Sequence, residues 1–231
     1  MGRRIDLSHP IEAGMPTYPG LPGPVLTEFL SRRDSEARYA PGTSFQIARV
    51  DLVVNTGTYL DAPFHRFAGA PDVGELPLDR LVDLDGIVVN AGASARNGSR
   101  SIGPELFEGP ALEGRAVLVR TGWAENWRTP AYFDGHPFLS RQAVDRLLSA
   151  KPSLVGIDSL NIDDTADGER PAHTRLLAEG IPILEHLCGL ERLPASGFRV
   201  HAAPAPFRGV GSFPVRAYAI VDGERADAAE R

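Results

Sequence analysis

Short apolar runs separated by glycine and proline dominate the chain, and few stretches carry a helical period. Ile5 and Leu7 open it as a first strand. Met15-Pro-Thr-Tyr-Pro-Gly20 follows as a stiff loop that projects Tyr18. Phe45 and Ile47, then Ala48, Val50, Leu52 and Val54, alternate with one change of frame, which predicts a long strand with a bulge. Residues 86–91, 116–121, 154–158, 181–184 and 215–221 are apolar segments bounded by turn signals, each of a length that suits a buried strand. Two segments have helical spacing. After Ser140, a candidate N-cap, Ala143, Val144, Leu147 and Leu148 form one stripe that stops near Pro152. Residues 172–179 form a second helix, closed by Gly180. Strands outnumber helices and the two are interspersed, so a mixed α/β single domain is expected over residues 1–222, with a polar tail at 223–231.

One end of the long strand is chemically odd. Continued through residue 61, it sets Asn55, Gly57, Tyr59 and Asp61 on a single face. Three polar side chains on one face of an apolar strand are costly to bury without partners, so this face reads as the wall of a site.

Composition narrows the function class. A length of 231 residues suits one domain. The net charge of −6, with no basic run, argues against nucleic acid or anionic membranes as partners. The residues from Met1 to Asp6 lack an apolar signal segment, and no stretch of about 18 apolar residues occurs, so a cytoplasmic location is expected. The glycosylation sequon at Asn97 is then without a role. Cys188, the only cysteine, is expected as a small core residue rather than a reactive thiol. Asp158, Asp163 and Asp164 lack the spacing of a calcium loop and are expected to line a loop beside the site that leads into His173. Gly209-Val-Gly-Ser212 lacks the remainder of a phosphate loop. Of the scattered His9, His136, His186 and His201, at most one is expected to matter.

The segment Asn55-Thr-Gly-Thr-Tyr-Leu-Asp-Ala-Pro-Phe-His65 resembles the signature H-x-G-T-H-x-D-x-P-x-H of the cyclase family that includes bacterial kynurenine formamidase. Gly57, Thr58, Asp61, Pro63 and His65 match, while Asn55 and Tyr59 stand where the family has its two leading histidines. Asp6-Leu-Ser8, residues 16–20, Val119 to Trp123, Gly156 to Asp158, the pair His173 and Glu185, and Gly209-x-Gly211 ahead of Pro214 follow in family order. The resemblance therefore spans nearly the whole chain.

What it implies is specific. The fold would be the swivelling β/β/α architecture, assembled as a homodimer or homotetramer. In the family the two leading histidines and the Asp hold one divalent ion, and the same Asp with a later His and Glu holds a second. Carried over, the first set keeps only Asp61, whereas the second is complete in Asp61, His173 and Glu185. One divalent metal, zinc or manganese, or none is therefore expected. The last motif histidine, His65, takes the family's proton donor and acceptor role, which suits imidazole chemistry. Tyr18 stands where the family sets an aromatic over the substrate ring. Asn55 and Tyr59 either orient substrate or are inert replacements. The expected activity is hydrolysis of a small amide, formamide or lactone by water attack. Two alternatives stay open: a metal-independent cyclase or dehydratase, and a catalytically silent small-molecule-binding protein.

Overall fold

The computed structural model describes residues 2–92, 98–109 and 111–221; Asn97 and the expected tail at 223–231 lie outside the described residues. Nine strands form one mixed sheet in the order β1 (Arg3–Asp6), β13 (Tyr218–Val221), β11 (Ser196–His201), β5 (Leu84–Asn90), β7 (Ala116–Arg120), β9 (Leu154–Ile157), β10 (Ile183–Glu185), β4 (Tyr59–Asp61) and β12 (Ser212–Pro214). The central four, β5, β7, β9 and β10, run parallel, and every other pairing in the sheet is antiparallel.

Parallel strands covered on both sides need apolar residues on both faces. Leu118, Leu154 and Leu184 face one cluster with Ile5, Leu60 and Phe198. Val117, Val119, Val155 and Ile183 face the other, beneath the helices Arg141–Ala150 and Pro171–Ala178. The first helix starts as its sequence requires: the Ser140 hydroxyl accepts the Ala143 N–H, and Ala143, Val144 and Leu147 are buried. The second starts with Pro171 in its first turn, where a missing N–H does no harm.

The sheet curls. Beyond β1, the Leu7 N–H donates to Ala217, the Cys188 N–H donates to Leu7, and Ser8 bridges Leu187. The N-terminal segment thereby ties one edge of the sheet to the end of β10. The result is the mixed α/β single domain that the sequence predicts, with a curled sheet and few helices.

The long strand expected from residue 45 onward is not continuous. β3 (Ile47–Asp51) pairs with β2 (Val25–Leu30) in a separate two-stranded sheet, and the bulge falls in β2 between Glu28 and Leu30. The chain then leaves the extended form, and Gly57 turns at φ +65 before β4 begins. A Cβ at Gly57 would also lie 2.9 Å from Ile11 Cγ1. Asn55 and Gly57 are therefore not on the strand face that Tyr59 and Asp61 share. A further small sheet pairs β6 (Ser101–Ile102) with β8 (Phe138–Leu139). Cys188 is half-buried rather than deep in the core, and burial pushes its thiol up to about 11. Among the described residues no helix is long and apolar enough to cross a membrane.

Candidate active site

β4 lies between β10 and β12, and its register decides what meets. Glu185 stands opposite Tyr59, and Ser212 stands opposite Asp61. The chain leaves β4 through the 3-10 turn Pro63–His65, which turns His65 back over Asp61. The close fit at this corner requires glycine, since a Cβ on Gly211 would lie 2.4 Å from His65 Cα. His173 enters from the first turn of Pro171–Ala178.

Asp61, Asp163 and Glu185 are fully buried, and His173 is nearly so. Nδ1 of His173 lies 2.7 Å from Oδ2 of Asp163, which also accepts the His173 N–H, while Oδ1 accepts the Ala172 N–H. Asp163 thus caps the helix and fixes the ring together. Nε2 of His173 faces Asp61 Oδ2 at 3.6 Å and Glu185 Oε1 at 3.7 Å. Glu185 Oε1 accepts the Ile162 N–H, and its Oε2 accepts the Tyr59 hydroxyl. Ser212 Oγ donates to Asp61 Oδ1 and stands 2.8 Å from His65 Nδ1. Among the described residues Asp61 Oδ2 is buried with no hydrogen-bond partner. One ligand atom each from Asp61, His65 and His173 fall within 4.8 Å of one another.

A family model described as "Putative cyclase" matches residues 5–164. The chain belongs to this cyclase family. Among solved structures, isatin hydrolase A from Labrenzia aggregata, bound to benzyl benzoate, superposes with a TM-score of 0.82 at 23% identity over 95% of this chain and 93% of that one. Isatin hydrolase A from Ralstonia solanacearum gives 0.81 at 22% over 95% and 92%. A predicted metal-dependent hydrolase from Bacillus stearothermophilus gives 0.75 at 26% over 96% and 100%.

In this cyclase-family chain the residues that stand in place of the two motif histidines are neighbours. The Asn55 side chain interacts with the Tyr59 hydroxyl, and Tyr59 holds Glu185. Burial, with the Glu185 and Asp61 charges beside it, pushes the Tyr59 phenol far above its ordinary range, so it acts as a donor. Burial likewise raises Glu185 to about 7. For Asp61, burial works upward, but the neighbouring His173, His65 and Ser212 together hold the carboxyl below the usual range. Asp163 is lowered in the same way by His173. Burial alone would lower His173, yet Glu185, Asp163 and Asp61 raise it to about 10. The cluster therefore carries more negative than positive charge, and it suits a cation.

The structure brings together Asn55, Tyr59, Asp61, His65, His173 and Glu185. Tyr18 sits half-buried in a turn closed by the Leu21 N–H, and among the described residues no hydrogen bond or ring contact joins it to the cluster. Two members were not foreseen. Ser212 lies 151 residues from Asp61, and only its place after Gly211 hinted at it. Asp163 was expected merely to line the approach, and its position ten residues before a helix-opening histidine was the available signal. His136 supports it from behind, with Nε2 3.0 Å from the Asp163 carbonyl.

Proposed function

We propose that the protein is a hydrolase that opens a small amide, formamide or lactone by water attack, with His65 as the acid–base residue. The observation that carries this reading is the Asp61–Ser212–His65 array. An ionised Asp61 only accepts, so the single Ser212 proton points to it. Ser212 must then accept from His65, which assigns the proton of neutral His65 to Nδ1 and leaves Nε2 with a free lone pair. His65 is also the one member of the array that reaches solvent, at 35% exposure. Nε2 can take a proton from water and return it to the leaving group, while Asp61 and Ser212 stabilise the imidazolium.

The donor set also fits one divalent ion. Asp61 Oδ2 is unpartnered, Asp163 fixes the His173 ring so that Nε2 points inward, and Glu185 Oε1 lies across from it. Asp61, His173 and Glu185 would hold zinc or manganese, which when bound lowers the pKa of water and polarises a carbonyl. Membership of the cyclase family and the names of the structural neighbours support the hydrolase reading. We assign Asn55, Tyr59 and Tyr18 to the substrate side, and assembly as a homodimer or homotetramer remains part of the proposal. The exposed two-stranded sheet of β2 and β3 supports assembly: Phe29 is 76% exposed, and an isolated two-stranded sheet is marginal in water.

A second reading has its own observation. With His173 raised to about 10, an imidazolium can occupy the carboxylate cluster itself, and His65 would then act in metal-free cyclisation or dehydration. The two are separated by metal analysis of protein grown with zinc and manganese, together with turnover of formanilides and aryl lactones before and after chelation. Bound metal and chelator-sensitive hydrolysis support the first reading. Turnover that survives chelation favours the metal-free use of His65 on which the second reading rests, and absence of turnover with every substrate overturns the first.

A further inference from the structure

Beside the carboxylate cluster lies a group of rings that the proposed chemistry does not use. Thr58 Oγ1 donates to the His186 carbonyl and accepts the His9 N–H, so the N-terminal loop is pinned next to the motif. The His186 ring lies 5.2 Å from Tyr59 and 5.6 Å from Tyr132, whose hydroxyl meets its Nδ1 at 3.2 Å. Trp127 stands edge-on to both His186 and Tyr132, at 5.6 and 4.9 Å. His9 closes the group by stacking on Trp127 at 4.0 Å with only 9° between the planes.

Three nitrogens of this group, His9 Nε2, Trp127 Nε1 and His186 Nε2, are buried, and among the described residues none has a hydrogen-bond partner. An indole N–H can only donate, and burying it unpaired is unfavourable. The two loops that carry the stack are otherwise latched at this point by an exposed ion pair, Arg128 to Glu12 at 2.9 Å, and exposed pairs hold weakly. Arg128 itself has a left-handed backbone, at φ +65. An acceptor atom that enters the stack relieves the unpaired Trp127 donor. By contrast, Trp123 in the same loop is satisfied, donating to the Tyr132 carbonyl at 3.0 Å.

We propose that His9 and Trp127 form a recognition subsite that takes an oxygen acceptor of the ligand, remote from the reacting bond, on the Trp127 indole N–H. Contacts run from Glu185 through Tyr59 and His186 to Trp127, so the subsite reads the part of the ligand that the Asp61–His65 array does not touch. His9 supplies a neutral ring for the contact, because burial and then Arg128 lower it to about 4.

The assignment rests on the hydrolase reading for its choice of probes, and the test keeps the two apart. Indole ¹⁵N–¹H spectra are recorded on the full chain with formanilides that carry an acetyl group at the ortho, meta or para position, and with the matching ethyl compounds, which lack the oxygen. Trp127→Phe and Trp123→Phe assign the two resonances. The expected result is a downfield shift of the Trp127 N–H with at least one acetyl probe and not with its ethyl partner, while Trp123 stays in place. Trp127→Phe should weaken that acetyl probe about tenfold and spare the ethyl one. If this variant does not fold, the wild-type shifts decide alone. Equal shifts within every pair, an unmoved Trp127 resonance, or no binding by any of the six probes overturns the assignment. Hydrolysis is followed in the same tubes: a selective shift without turnover supports the subsite and counts against the hydrolase, and turnover without a selective shift does the reverse.

Discussion

The Tyr59 hydroxyl donates to Glu185, so a residue that stands in place of a motif histidine is bonded to a member of the buried carboxylate cluster. Asn55, the other replacement, interacts with that same hydroxyl. The two changes are thus one local exchange, in which a pair of imidazoles gives way to an amide beside a phenol that braces Glu185. The double variant Asn55→His/Tyr59→His is expected to raise the bound divalent metal towards two equivalents per chain, against at most one in the wild type. Elemental analysis of dialysed protein reads this directly, and an unchanged stoichiometry would refute it. Tyr59→Phe leaves Glu185 Oε2 buried without its donor and should cost about 1–3 kcal/mol in urea unfolding.

Asp163 should govern metal affinity without touching the metal. Its carboxylate accepts from His173 Nδ1 at 2.7 Å and so keeps Nε2 facing Asp61 and Glu185. In Asp163→Asn the charge is lost, and the ring is held less firmly. Zinc affinity, measured by competition with a chromophoric chelator, should fall about 10- to 100-fold. An unaltered affinity would remove Asp163 from this role.

Four of the five apolar runs could be read as strands because parallel strands sandwiched between two layers need apolar residues in succession, as Val117, Leu118 and Val119 provide, while the fifth ends in β13, an antiparallel strand with alternating burial. The helix after Ser140 was legible for a local reason too, since cap and stripe lie within ten residues. The site strands were not. β4 and β12 are three residues each and spend Tyr59, Asp61 and Ser212 on chemistry, so no apolar alternation marks them. The assumption that Asn55 and Asp61 share a face failed at Gly57, where a left-handed turn interrupts the strand. Asp61, His65, His173 and Glu185 were recognisable from the motif and its order. Ser212 and the His9–Trp127 stack depend on strand register and loop closure, which no local pattern encodes.

The Ser212 relay makes a kinetic prediction. His65→Ala should lower kcat by about 10²- to 10⁴-fold on any substrate the wild type turns over. Ser212→Ala keeps the imidazole but removes the group that assigns its proton to Nδ1, and should lower kcat by about 10- to 100-fold with little change in KM. A Ser212→Ala enzyme with full kcat would dismiss the tautomer argument, while leaving His65 itself in place.

His9 predicts a pH dependence of stability with a definite sign. Burial, then the Arg128 charge, lowers its pKa from 6.5 to about 4 in the folded chain. Between these values the unfolded chain takes up a proton that the folded chain refuses, so stability falls as the pH drops from about 6.5 towards 4. Above 6.5 both states hold a neutral ring, and His9 contributes no slope. His9→Phe retains a flat ring to stack on Trp127 but has nothing to protonate. Urea unfolding from pH 4.5 to 7.5 should therefore show a shallower acid limb for the variant, by up to about one proton, with the two curves parallel above pH 7. Since Asp61 and Asp163 are present in both proteins, their acid-side losses cancel in the difference, and parallel curves throughout would show that His9 protonates equally easily in both states.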